Sequence, residues 1–232
     1  MCNLYSVTTS REAMLRLFRI GHNRAAAIAP KPAIFPGHSA PVVRLAGDGE
    51  LELAALSWGF VLPQPGRAPR RVTNVRDDKA RASPFWRESF ERRRCLVPVT
   101  AFAEPNDGRA AGERATWHWF ALKGDEPRPL FAFAGIWRRY KGAVKKDGPV
   151  IELDVYAFMT TTPNPLVATI NHERMPVILA DDAARDTWLR GEPDEAFALV
   201  RAHPAERMRI VQAGFAKEDL LDAAPDQPPR LL

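Results

Sequence analysis

Short apolar runs separated by polar turns dominate the chain, a pattern that reads as strands more than helices. Val42–Leu45 and Leu51–Val61 read as two strands joined by a turn at Gly47-Asp48-Gly49. Strands resume over Cys95–Ala103, Thr116–Leu122, Leu130–Trp137, Leu153–Thr161, Met175–Leu179 and Arg209–Gln212. Helical spacing occurs near the two ends. Thr9-Ser10-Arg11-Glu12 reads as a capping box ahead of Met14, Leu17 and Phe18, and Asp182–Leu189 and Asp194–Arg201 read as late helices. Three prolines between Ala29 and Gly37 require extended or looped backbone, and Pro63–Ser83 shows no periodicity and reads as one long loop. The tail after Ala223 carries Pro225, Pro228 and Pro229 and is expected to be disordered. The expectation is therefore an α+β fold in which curved, mostly antiparallel sheets form a partial barrel with flanking helices. It occupies one domain over residues 1–223, with 224–232 as the tail.

Composition narrows the function classes. With 46% hydrophobic and 26% charged residues in 232, wholesale disorder is excluded. The longest apolar stretch, about Leu130–Trp137, is far short of a membrane span, and Met1–Ser6 has neither a basic lead-in nor an apolar core. A cytoplasmic protein without a membrane partner is expected. Cys2 and Cys95 make no disulfide framework and no zinc site, in agreement with a reducing compartment. No metal or organic cofactor is implied. The formal charge of +5 is concentrated. Between Arg67 and Arg94, ten basic residues face four acids, a local excess of +6. Such an Arg-rich segment suits phosphate recognition and equally suits a solvated face with internal ion pairs.

Cys2 is the most informative residue. Removal of Met1 would leave a 1,2-aminothiol whose amine and thiol both have reference pKa values within reach of neutrality. The amine can form a Schiff base with an aldehyde, and the thiol can then close a five-membered thiazolidine. Cys95, inside Leu96-Val97-Pro98-Val99, reads as a core thiol. Glu104 closes an otherwise apolar strand, and His172 stands in a polar knot between apolar flanks. A carboxylate and an imidazole would supply the proton transfers that imine chemistry needs. Asn74 lies in the basic loop, where an amide can orient a reacting group, and Arg76 beside it suits a phosphate. Trp58 could stack on a base or pack in the core.

Taken in order, Met1-Cys2, Trp58-Gly59, Asn74-Val75-Arg76 with Asp78, Arg94–Pro98 leading to Phe102-Ala103-Glu104, and Thr160–Pro176 with His172 and Arg174-Met175-Pro176 resemble the SRAP domain, the SOS-response-associated peptidase family. The resemblance extends to about residue 215. It implies a sensor of abasic sites in single-stranded DNA that bonds Cys2 to the ring-opened deoxyribose as a thiazolidine crosslink, with autopeptidase and strand-incision (lyase) activity as further possibilities of the same chemistry. By the resemblance Cys2 is the nucleophile, Glu104 and His172 assist ring opening and proton transfer, and Asn74 orients the sugar. Arg76, Thr160 and Arg174 would hold flanking phosphates, with Trp58 at the channel wall. The chain departs from the family pattern at Asn3-Leu4, Pro105 and Asn171. A monomer is expected. Two rivals stay open: a thiol autopeptidase or N-terminal-nucleophile hydrolase acting without DNA, and a noncovalent nucleic-acid-binding module.

Overall fold

A computed structural model of the chain describes residues 2–25, 29–124 and 128–220. Met1 and the expected disordered tail, 224–232, lie outside the described residues.

Two sheets organise the molecule. In the larger one, Ser39–Leu45, Leu51–Trp58, Ile151–Thr161, Phe131–Gly142 and Arg94–Val99 each pair with the next, and the last pairs back to the first. The expected partial barrel is thus closed. Closure is made by a parallel pair in which Ser57 faces Val155 and Trp58 faces Tyr156, while the other four pairings are antiparallel. A ring of this kind leaves no edge among its five strands.

The second sheet is fully antiparallel and runs Met208–Gly214, Trp117–Leu122, Ala101–Pro105, Tyr5–Val7, Lys31–Ile34. Strand alternation gives it two buried faces. Tyr5, Phe102 and Phe120 join the main core, whereas Leu4, Ala101, Ala103, Trp119 and Ala121 form a smaller core behind it. Pro32 is accommodated because its strand is at the sheet's edge.

One chain segment links the two sheets. The expected single strand Cys95–Ala103 divides at Thr100 into Arg94–Val99 in the barrel and Ala101–Pro105 in the second sheet. Thr100 is fixed there by its amide, which donates to Ser6 O at 2.9 Å, and by its hydroxyl, which accepts from the Thr8 amide at 3.0 Å. Leu51–Val61 is likewise broken, at Gly59. Its φ of 104° lies in the left-handed region that favours glycine, and an added Cβ would sit 3.0 Å from the Cβ of Arg71.

Several local expectations are corrected. The first helix, Arg11–Leu17, is capped by Ser10, whose hydroxyl accepts from the Ala13 amide, so Thr9 is not the cap. Pro63–Ser83 is not one loop. It contains strands Arg70–Val72 and Asn74–Arg76 and a short helix Asp77–Ala80. The helix Pro84–Arg92 was hidden among the charges, although Ser83-Pro84 supplies a side-chain cap and a proline at the first turn. The late helices are Asp182–Arg190 and Pro193–Ala198. No helix among the described residues is long and apolar enough to cross a membrane.

Candidate active site

The Tyr5–Val7 strand lies inside the second sheet, between Ala101–Pro105 and Lys31–Ile34, and it carries Cys2 into the main core and Leu4 into the smaller one. Leu4 O accepts from the Ala103 amide at 2.9 Å, which sets Cys2 beside Glu104. Cys2 is 1% exposed, and its thiol donates to Leu4 O at 3.6 Å. Burial, and next the Glu104 carboxylate, push the Cys2 thiol pKa well above its ordinary value. A buried thiol facing a carboxylate keeps its proton.

Asn74 begins a three-residue strand that pairs in parallel with Ile151–Thr161, with Asn74 opposite Phe158. Its Nδ2 donates to Cys2 O at 2.7 Å and to Thr73 Oγ1 at 2.7 Å, and Thr73 Oγ1 donates in turn to Asn3 Oδ1 at 3.0 Å. This relay ties the residues on both sides of the Cys2–Asn3 bond to the Asn74 strand. Asn3 is thus part of the anchor. Asn74 Oδ1 is buried without a hydrogen-bond partner among the described residues.

Glu104 is fully buried, and its Oε2 lies 3.1 Å from His172 Nε2. Its Oε1 has no hydrogen-bond partner among the described residues. His172 is 5% exposed, and its Nδ1 donates to Asp107 Oδ2 at 2.7 Å. Burial by itself lowers the imidazole pKa. Glu104, through hydrogen bonding and charge, and then Asp107 outweigh it, so the net shift is upward. The structure therefore brings Cys2, Asn74, Glu104 and His172 into one buried cluster and adds Asp107, which sequence reasoning missed. The available signal was the turn Asn106-Asp107-Gly108, which begins two residues beyond Glu104.

The residues expected along a DNA path are placed differently. Arg76 is exposed and donates to Asp78 Oδ1 at 2.9 Å. Arg174 is nearly buried, and its Nη2 donates to Asp77 Oδ1 at 2.7 Å and to Thr160 O at 2.6 Å. Thr161 Oγ1 donates to the second oxygen of Asp77 at 3.0 Å. Burial would raise the Asp77 pKa, but these bonds, led by Arg174, lower it on balance. Thr160 is fully buried, and its hydroxyl donates to Val75 O at 3.5 Å. Trp58 is fully buried rather than on an exposed wall. It stacks on Tyr156 and Phe158, and its indole N–H donates to Thr73 O at 3.1 Å, supporting the Asn74 strand from the core side.

The basic segment is also largely committed. Arg71 donates to Ser57 Oγ and to the carbonyls of Trp58 and Gly59. Arg94 is buried and holds the carbonyls of Phe90, Glu91, Trp188 and Gly191. Arg81 pairs with Asp194, Arg93 with Glu88, and Lys79 with Asp78. A charge count along the chain therefore overstates the cationic surface; Arg67, Arg70 and Arg92 are exposed members of the segment.

The fold and site define a barrel-and-sheet protein built around a cysteine at the second position. The model of the SOS response associated peptidase (SRAP) family matches residues 1–214, and the chain belongs to that family. It is 25% identical to the abasic site processing protein YoqW of Bacillus subtilis, over 91% of this chain and 92% of that protein. It is 27% identical to the abasic site processing protein YoaM of the same organism, over 78% of each chain. Among solved structures, a protein of Bacteroides thetaiotaomicron superimposes with a TM-score of 0.72 at 22% identity, covering 98% of this chain and 97% of that one. One from Bordetella bronchiseptica gives 0.70 at 24% identity, over 92% and 98%.

Proposed function

We propose that this chain processes abasic sites in single-stranded DNA by forming a covalent adduct at Cys2. The observation that carries the reading is the juxtaposition of a buried Cys2 thiol, a buried Glu104 and a His172 that spans two carboxylates. Relatives that match 91% and 78% of the chain bear the name of abasic site processing proteins, which supports an abasic-site substrate.

Once Met1 is removed, the Cys2 α-amine attacks the aldehyde carbon of the ring-opened sugar, giving a carbinolamine. Its hydroxyl leaves as water with a proton from His172, and the nitrogen lone pair forms the C=N bond of an iminium. The Glu104 carboxylate would stabilise that positive charge. The thiol sulfur then bonds to the same carbon and passes its proton to Glu104, while the C=N electron pair returns to nitrogen. The product is a five-membered thiazolidine. Aldehyde and aminothiol have lost one water in total. Asn74 holds the Cys2 carbonyl, and its Oδ1, without a hydrogen-bond partner among the described residues, would accept from a sugar hydroxyl. The iminium also permits β-elimination of the 3′ phosphate, the route to strand incision. Autocatalytic removal of Met1 would use the same cluster.

A thiol hydrolase acting without DNA would use the same Cys2 with His172 and differs in substrate, since only the crosslinking reaction needs an aldehyde. Intact mass after incubation with single-stranded DNA bearing one abasic site tests the reading. An adduct of DNA mass mapping to a processed Cys2 is expected. A processed, unmodified Cys2 would rule the reading out.

A further inference from the structure

We propose that Asp107 is a positioning residue for His172: it accepts a hydrogen bond from Nδ1–H at 2.7 Å and thereby keeps that proton on the ring and commits Nε2, the nitrogen that faces Glu104, as the one that gives up a proton. This deepens the proposed function and rests on it.

His172 has a carboxylate oxygen within 3.1 Å of each ring nitrogen. A neutral imidazole has one N–H and one lone pair, so it can satisfy only one of them, whereas the cation satisfies both. The two acids differ in setting. Glu104 has no exposure, while the Asp107 side chain is 43% exposed. Water stabilises Asp107 as an anion at little cost, so it goes on accepting from Nδ1 after the ring becomes neutral. The proton that leaves is then the one on Nε2. It departs with the carbinolamine hydroxyl as water, and the ring is left as its Nδ1–H tautomer with the Nε2 lone pair toward Glu104.

The backbone is built to keep this pair in register. The Asp107 amide donates to Ile170 O at 3.1 Å, joining the turn after Glu104 to the turn before His172. Asn171 has φ of 53°, a region asparagine enters more readily than most residues. The asparagine that departs from the family pattern thus enables the turn that aims His172. Its side chain fills the space over Gly108, where an added Cβ would be 2.0 Å from Asn171 Nδ2. Asn106 Oδ1 accepts from the Gly108 amide at 2.9 Å and sets the same turn.

The charged and titratable groups around the ring are Glu104 from its strand, the chain's α-amine, whose positive charge works against the imidazolium, and the Cys2 thiol from the N-terminal segment, Asp107 and Arg109 from the turn, and Glu173 and Arg174 from its own segment. Arg109 Nη1 is 3.7 Å from the other Asp107 oxygen, and Arg174 is committed to Asp77.

The experiment compares the full chain with D107N, D107S and D107E. The His172 ring is titrated by NMR without DNA, and the pH–rate profile of adduct formation is measured with an abasic single-stranded oligonucleotide. D107N and D107S are expected to lower the His172 midpoint by about one pH unit, with the alkaline limb of the rate profile moving down by the same amount. D107E should return both toward the parent values. Midpoints in D107N and D107S that coincide with the parent would overturn the proposal, and so would a rate limb that stays in place while the midpoint moves. D107S keeps the test decisive if D107N does not fold. If the parent chain forms no adduct, the proposed function fails by itself, and the NMR midpoints alone judge whether Asp107 controls His172.

Discussion

Asn74 Nδ2 lies 2.7 Å from the carbonyl oxygen of Cys2, joining positions seventy-two residues apart. The contact fixes the peptide that follows the proposed nucleophile without touching its thiol or nitrogen. Asn74→Ala should therefore slow adduct formation at least tenfold while costing about 1–3 kcal/mol of stability, the usual range for a broken buried hydrogen bond. Single-turnover rates and urea melts on the same preparation separate the two effects. A full rate with lowered stability would reduce Asn74 to a structural tie.

Cys2→Ala should abolish the heat-stable DNA adduct, and Cys2→Ser should leave only an imine that borohydride can trap. Denaturing gels with and without reductant distinguish these states. A heat-stable adduct in Cys2→Ala would refute the thiazolidine assignment.

Arg76 and Arg174 should behave differently. Arg76 is exposed, so Arg76→Ala should weaken single-stranded DNA binding evenly across sequences and flatten the slope of log K against log salt by about one. Arg174 holds Asp77 and Thr160 O, so Arg174→Ala should instead appear mainly as lost stability. Salt titrations of both variants beside their melting curves check the contrast. Equal salt slopes for Arg76→Ala and the parent would remove Arg76 from the phosphate path.

Trp58→Ala should cost about 3–5 kcal/mol, as for other large aromatic residues in a core. The loss of its bond to Thr73 O should also loosen the Asn74 strand. Chemical denaturation gives the stability, and hydrogen exchange at residues 73–76 reports the strand.

The pH dependence of stability follows from His172. Its pKa is raised in the folded state, so its contribution is full below the unfolded value of about 6.5. That contribution is lost as pH rises through the higher folded value. Urea midpoints across pH 5 to 9 should show a decline over that window that His172→Gln removes. An identical profile in His172→Gln would mean the imidazole is not the group responsible.

Much of the strand inventory was legible because alternating and continuous apolar runs report burial directly: Val42–Leu45, Trp117–Leu122 and the long strand ending at Thr161 follow their patterns closely. Helix Pro84–Arg92 was not legible because it buries only Trp86, Ser89 and Phe90 among charged residues, too short an apolar stripe to stand out from the basic segment. Chain breaks such as Thr100 were not legible, since a strand that changes sheets keeps its apolar pattern and only its hydrogen-bond partners change. The joining of Cys2, Asn74, Glu104 and His172 is likewise a matter of partners distant in sequence.

By itself the sequence determined the residue types, the family motifs in their order, and the buried faces of most strands, because these depend on side-chain chemistry and local spacing. Tertiary structure decided that the barrel closes through a parallel pair, that Trp58 and Thr160 are buried, and that Arg174 is held by Asp77. It also decided that His172 lies between Glu104 and Asp107. The physical reason is that charge pairing and desolvation depend on distances of a few ångströms between groups far apart in the chain, and residue order alone leaves those distances open.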